Sequence, residues 1–441
     1  MSEERRDLAA IDWRRSFGCL EILRSFRIAI NPVSLLLCLV GLAATVGVGI
    51  LLDQVPGIGE TAEKMRTADL DFRGTYFDSI SECARKLWGT SAAAALRGGP
   101  FDEFYALAAA PVVAVTRLAG LIMAYWTNAP WFALVNTILA LAIWATVGGA
   151  VTRIAAVRVA REESVPWKSA VRFACSKWLS LASSPLVPFG VLVLIAFLVG
   201  APSGLFLMVP YAGEVVVGIL FGLVLALGLV LALILIGGLF SMALQWPTIA
   251  AEGSDAFDAI SRSVSYISSR PWRYLFYTVF SALYGCLTFV FVKVLAFLTL
   301  RVTHEAVGVF TWKGSGFEGK LDRLWSVPTW AAGPWPRSGN QLLGAEDTAA
   351  YFFAFWVWIV LGMMIAFLIS FFFSSQTVIY FLLRRDVDAT DMEEVYMEES
   401  DEEELPVSGQ AAPQAAPPQV VELGDSGAAK PEAPMPGTPS K

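Results

Sequence analysis

Six long apolar stretches separate loops whose arginines and lysines gather on alternate sides, and lipid as a solvent leaves such a chain few folds. In hydrocarbon no water can satisfy an exposed N–H or C=O, so a spanning segment is either a helix or a strand of a closed barrel. Barrel strands need only about 10 residues and alternate in polarity, whereas runs of about 20 apolar residues have helix length. The stretches 33–52, 130–151, 186–208, 214–244, 274–300 and 350–383 are of the second kind. The expected fold is all-α: a polytopic transmembrane helical bundle of six spans, built from three helical hairpins with amphipathic helices along its inner surface.

Lysine and arginine are retained on the cytoplasmic side when they flank a span. With the N-terminus inside, the inner segments carry 19 of the 32 basic residues, including Arg24, Arg27, Arg153, Arg158, Arg161, Arg262, Arg384 and Arg385. The outer loops hold 12, diluted over two long segments, and Lys293 falls within the fifth span. Both termini are therefore expected in the cytoplasm and the chain in the cell (inner) membrane. The expected organisation is a cytoplasmic amphipathic segment 1–32, a six-span domain 33–385 with outer loops 53–129 and 301–349, and a disordered, acidic, Pro-rich cytoplasmic tail 386–441. A polar, Arg-bearing stretch precedes the first apolar run, so that run reads as an uncleaved anchor rather than a cleavable signal peptide.

Two stretches bear on the count of spans. Residues 104–126 are apolar enough to cross, but a crossing would turn the six basic residues from Arg153 to Lys177 outward. They are expected to lie on, or dip into, the outer surface instead. Gly200 to Gly204 interrupts the third apolar run and Pro210 follows. A helix end with a short external turn is expected there, the alternative being a broken helix lining a cavity as in transporters.

Internal similarity at an offset of about 90 residues is the most specific pattern. Gly148 and Gly149 match Gly237 and Gly238. Each pair is followed by a serine, an aromatic and an arginine (Ser164, Trp167, Arg172; Ser254, Phe257, Arg262) and then a proline, Pro185 or Pro271. Leu23–Arg27 followed by Asn31 and Pro32 looks like a third copy. The unit is an amphipathic surface helix, an X-Pro corner, an outgoing span and a returning span. Proline suits the corner because it disfavours helix at the preceding residue and starts the next helix without wasting a donor. The apolar face of each surface helix is expected to sink into the headgroup boundary while its cations snorkel.

The run Ser254–Arg273 (SDAFDAISRSVSYISSRPWR) resembles the inner-loop signature of a broad set of bacterial polytopic membrane proteins. That set includes the membrane domain found with some glycerophosphoryl diester phosphodiesterases. The resemblance covers about 60 residues and the hairpin layout, and implies a membrane-embedded helical domain. Nothing here resembles the catalytic phosphodiesterase domain, so that activity is not implied.

Chemistry-bearing residues are sparse. His304 is the only histidine, and it is expected on the surface of an outer loop beside Glu305. Zinc hydrolase motifs and Ser-His-Asp triads need a positioned imidazole with partners that this chain does not offer. Cys38 and Cys286 fall in spans, Cys19 and Cys175 in inner segments and Cys83 in an outer loop, which makes no disulfide framework. Lys293 is expected to snorkel outward, Glu214 to meet the positive end of the fourth helix dipole, and Asn136 and Gln245 to bond between helices. Gly218 and Gly222 form a G-x-x-x-G expected to pack on a neighbouring span of the same chain, with a dimer seam as the alternative. Trp312, Trp325, Trp330 and Trp335 are expected to anchor the second outer loop at the interface, although stacked tryptophans also bind sugars or quaternary amines.

The chain is 56% hydrophobic and 16% charged, and its net charge of −7 is concentrated at one end. Residues 386–441 hold 14 of its 39 carboxylates, so no nucleic-acid partner is indicated. The tail is either a solvated segment repelled by anionic lipid or a docking segment for a cytoplasmic protein partner, with Val395 and Tyr396 as apolar anchors. No catalytic, cofactor-binding or metal-binding residue is assigned, and the oligomeric state is open. The role expected is that of a non-enzymatic envelope or membrane-complex organising component; the alternative is a small-solute transporter or channel.

Overall fold

A computed structural model describes residues 18–55, 81, 116, 118–120, 122–310, 320–330 and 345–397. Besides the helical residues 81, 116, 118–120 and 122–128, eleven helices with defined bounds occur among the described residues. They are α1 (Cys19–Ile22), α2 (Arg24–Ala29), α3 (Pro32–Asp53), α4 (Pro130–Arg161), α5 (Trp167–Ser176), α6 (Trp178–Leu207), α7 (Ala212–Glu252), α8 (Ala256–Ser269), α9 (Pro271–Phe310), α10 (Lys320–Leu324) and α11 (Ala345–Asp388). Six of them, α3, α4, α6, α7, α9 and α11, are long and apolar enough to cross a membrane, which makes the chain an all-α polytopic helical bundle. Consecutive spans pair as hairpins, α3 with α4, α6 with α7 and α9 with α11.

Local chemistry sets the helix ends. Asn31 accepts a hydrogen bond from the Val33 amide at 3.3 Å, and Pro32 opens α3 with its fixed φ. Pro130 and Pro271 open α4 and α9 in the same way. Asp255 caps α8 by accepting from the Asp258 amide at 2.9 Å. The three returning helices each give way to a left-handed residue: Glu162 after α4 (φ 59°), Gly253 after α7 (φ 66°) and Ala389 just beyond α11 (φ 53°). Only Gly253 adopts this conformation without a Cβ penalty.

Helix length decides where the core lies. The returning helices have 32, 41 and 44 residues, or roughly 48–66 Å at about 1.5 Å per residue, against a hydrocarbon slab of about 30 Å. They overshoot the bilayer at the end where the chain enters α3, here termed the basic end, and their exposed flanks need a protein cover. The short helices supply it. Ala170, Phe173 and Ala174 of α5 are fully buried, as are Ala259 and Ser263 of α8, with Tyr266 nearly so. Two buried clusters form there, one centred on Ala155–Ala160, Phe173 and Val378–Leu383, the other on Ala150–Val157, Leu181 and Ile249. The apolar faces of α5 and α8 thus pack on the returning helices, not on lipid as the amphipathic pattern suggested. Their first-turn aromatics Trp167 and Phe257 point outward, at 53% and 71% exposure.

Several boundaries differ from those expected. Pro185 lies inside α6, with Pro188 and Pro202, and the corner of the second unit falls at Lys177. Helix α6 runs unbroken through Gly200–Gly204 to Leu207, and the turn to α7 occupies 208–211. Helix α9 continues to Phe310, so the second outer loop starts about two to three turns later than position 301. Within 104–126 only Thr116, 118–120 and 122–126 are described, and they are helical; residues 104–115 lie outside the described residues.

Candidate functional site: an ionic cleft at the basic end

In all three hairpins a cation near the start of the outgoing helix, on the preceding short helix, at the corner or in the first turn, grips the C-terminal end of the returning one. Arg24 NH2 donates to Glu162 at 2.5 Å, Lys177 Nζ to the Gly253 carbonyl at 2.6 Å, and Arg273 NH1 to Asp386 at 2.7 Å. Helix C-termini expose unpaired carbonyls and the negative end of the macrodipole, so a cation is favoured at each. The recurrence is stronger than the sequence landmarks implied. Order, chirality of the cap and the clasp all repeat, although the clasping residues are an arginine, a lysine and an arginine.

Between the second and third clasps lies an open cleft of about 550 Å³, whose polar lining is Arg161, Glu252, Arg262, Arg384, Glu393 and Glu394. Glu252, at the end of α7, is its hub. It accepts a hydrogen bond from the Tyr380 hydroxyl, pairs with Arg262 Nε at 3.0 Å and has Arg384 Nε at 3.6 Å. Asp258, at 3.0 Å, and Glu252 together hold the Arg262 guanidinium above its ordinary range. Tyr266 donates to Asp388 at 2.5 Å. Burial and that carboxylate push its hydroxyl well above the usual tyrosine range.

The cleft is closed on one side by the chain itself. After Ala389 the backbone turns back, and the Tyr396 amide donates to the Ala251 carbonyl at 2.7 Å. The Tyr396 ring lies on Gly253, so close that a Cβ there would sit 2.6 Å from it. Met392, Val395 and Met397 pack on the two basic-end clusters, and Arg384 NH1 donates to the Glu394 carbonyl at 2.8 Å. Beneath this segment Arg153 is fully buried, donating from NH1 to the Ala250 carbonyl at 2.8 Å with its guanidinium 4.5 Å from the Phe173 ring centroid. Val395 and Tyr396, the apolar anchors of the docking alternative, pack on the chain's own bundle. The packed unit reaches Met397, beyond the expected boundary at 386. The acidic residues 398–404 and the proline-rich remainder lie outside the described residues.

The other flagged residues fall elsewhere. Lys293 does not snorkel: α9 extends 17 residues beyond it, and the side chain is fully buried with Nζ 5.0 Å from the Trp330 ring. His304 is on α9 and 4% exposed, not on a loop surface. Its Nε2 is 3.2 Å from the Trp325 carbonyl and 3.3 Å from Asp322, and its ring is edge-on to Trp325. Trp325 and Trp330 therefore cover the far end of α9; Trp312 and Trp335 lie outside the described residues, as does Cys83. Glu214 is in the first turn of α7 as expected. Gln245 bonds Ser241 at 3.2 Å within its own helix, and Asn136 Oδ1 is buried without a hydrogen-bond partner among the described residues. A Cβ at Gly218 or Gly222 would meet nothing within 4 Å, so this G-x-x-x-G packs on no neighbouring span among the described residues. Cys19, Cys38, Cys175 and Cys286 are free thiols.

Sequence reasoning passed over Glu252, Tyr380 and Arg153. Glu252 had a signal: it is the only carboxylate between Glu214 and Asp255, placed directly before a helix-ending glycine. Arg153 counts in the sequence as an inner-side cation, and nothing local marks it as a buried residue. No family model, characterised protein or solved structure matches this chain.

Proposed function

We propose that this chain is a non-enzymatic organising component of a complex in the cell (inner) membrane, with its basic end and both termini in the cytoplasm. The single observation behind this reading is the anchoring of 391–397 across the cleft, through the Tyr396 amide on Ala251 and the Tyr396 ring on Gly253. The acidic run beyond Met397 departs from a fixed point on a rigid bundle, which presents its carboxylates to a basic protein partner at a defined place. The basic-residue distribution supports the orientation. Glu252, Arg262, Arg384 and Glu394 of the cleft are paired with one another, which favours a structural role over acid–base work. The resemblance of 254–273 to membrane domains of other polytopic proteins agrees with a non-catalytic module.

The test compares the full chain with one ended after Met397, both expressed in native membranes and sized by native electrophoresis. The shortened chain is expected to keep its fold and lose the larger assembly. Equal assembly size for the two would overturn the docking role. A solute transporter or channel is the second reading, favoured by the buried Lys293 within α9. Solute flux into vesicles carrying the chain alone, abolished by Lys293→Gln, would put it first.

A further inference from the structure

The clasp of the first hairpin has two further cations beside it in one cavity, Arg27 and Arg158. Arg24 is committed to carboxylates on both sides, with Glu21 at 3.0 Å and Glu162 at 2.5 Å. Arg27, one turn further along α2, is exposed and has no partner among the described residues. Arg158, on the facing side of α4, has its NH1 buried without a hydrogen-bond partner among the described residues. Arg24, Arg27, Ile28, Arg158 and Glu162 together line a small cavity of about 30 Å³. A buried guanidinium nitrogen with no acceptor is costly, because it loses its water without replacement. A cavity of this size takes roughly two water-sized atoms, at about 10–15 Å³ each, which is room for two oxygens of a phosphate group.

Depth points the same way. Helix α3 has 22 residues, or about 33 Å, close to the thickness of the hydrocarbon slab, so Pro32 lies at its edge. Arg24 and Arg27 precede Pro32 by one to two turns, at headgroup level. Arg158 is 28 residues into α4, which begins at Pro130, and about 42 Å along that helix lies beyond a slab of about 30 Å. We infer that Arg27 and Arg158, positioned by the Arg24–Glu162 clasp, form a binding site for a phosphate group between α2 and α4. Planar guanidinium forks match phosphate oxygens in pairs, and a phosphodiester would bring the acceptor that Arg158 lacks. An anionic phospholipid of the adjoining leaflet and a soluble phosphate offer the same chemistry.

Native mass spectrometry of the full chain in detergent, titrated with phosphatidylglycerol and separately with phosphatidylcholine, reads the site. Phosphatidylglycerol is expected to bind more tightly, and its affinity to fall about tenfold in Arg27→Gln and in Arg158→Gln, the loss of one charge-assisted bond. Arg270→Gln removes an exposed cation at the same end of the bundle, away from this cavity, and should leave the affinity unchanged. A parallel arm adds inorganic phosphate to lipid-free micelles. A melting shift there that Arg158→Gln abolishes, with no preference for phosphatidylglycerol, assigns the site to a soluble phosphate. Arg27 is exposed, so Arg27→Gln reports even if Arg158→Gln fails to fold. Equal losses in all three variants, or no loss in Arg27→Gln, would overturn the assignment.

Discussion

Helices α4 and α7 are both glycine-bearing returning spans, yet their glycines live in different solvents. Gly148 of α4 faces Trp246 and Phe373, stacked on one another with centroids 5.4 Å apart and planes at 13°. Gly218 and Gly222 of α7 face open space, in a stretch whose large side chains are exposed: Ile219 at 76%, Leu223 at 59%, Leu233 at 61%. Against lipid tails an apolar side chain gains nothing by turning inward, so small residues matter only where another helix actually approaches. At the basic end the returning helices have left the hydrocarbon, water is the competitor, and burial again drives packing. The same helix α7 obeys both regimes, lipid-facing before residue 240 and buried along most of 241–251.

The largest effect that would break this contrast is at Gly148. A Cβ there would lie 2.3 Å from the Trp246 ring, which cannot swing away because its Nε1 donates to the Leu181 carbonyl at 2.9 Å. Gly148→Leu is expected to cost about 3 kcal/mol or more by overpacking. Gly222→Leu should stay within about 0.5 kcal/mol. Detergent unfolding followed by tryptophan fluorescence measures both. Equal costs would mean that α7 has a protein neighbour in the membrane, and the dimer seam would return as its identity.

A smaller effect separates the anchored segment from the chain beyond it. Ending the chain after Met397 should leave the melting temperature unchanged. Ending it after Arg385 removes the third clasp, the Tyr266–Asp388 bond and the apolar cover from Met392, Val395 and Met397. That should cost about 2 kcal/mol, one good charged hydrogen bond plus partial burial of three side chains. If the two truncations melt together, the acidic end contributes nothing to the basic-end core, and the whole of 386–441 is the dispensable tail that its composition suggested.

Much of this was legible in residue types, and the physical reason for the remainder is specific. The spans could be read because hydropathy over about 20 residues answers to one solvent, and Pro32, Pro130 and Pro271 marked helix starts through their fixed φ. Pro185 misled because three prolines fall in α6, and a proline inside a lipid-facing helix resembles one at a corner until its neighbours are known. The amphipathic pattern of α5 and α8 was real, but a pattern does not say whether protein or lipid receives the apolar face. His304 and Lys293 were misplaced because α9 continues into a stretch whose polarity reads as loop, and only Trp325 and Trp330 folding back over it explain their burial. The clasps rest on residues scattered between Arg24 and Asp386, and no local pattern joins them.

The smallest prediction tests whether the basic end behaves as a water-excluded core through a single hydroxyl. Tyr266 is 3% exposed and donates to Asp388 at 2.5 Å, and its pKa is raised from an ordinary value of 10.0, first by burial and then by that carboxylate. The raised value fixes the sign. Above pH 10 the unfolded chain gives up this proton while the folded chain keeps it, so stability falls as pH rises, by up to about 1.4 kcal/mol per pH unit for one proton. Below that window both states hold the proton and the full contribution is present. Tyr266→Phe loses the hydrogen bond, so it should be less stable at pH 8, yet its stability should decline less steeply between about pH 10 and 11. Parallel slopes for the two proteins would mean that water reaches Tyr266 at the basic end. In that case the contrast with the lipid-facing half of α7 would be one of exposure to two solvents, with no buried core between them.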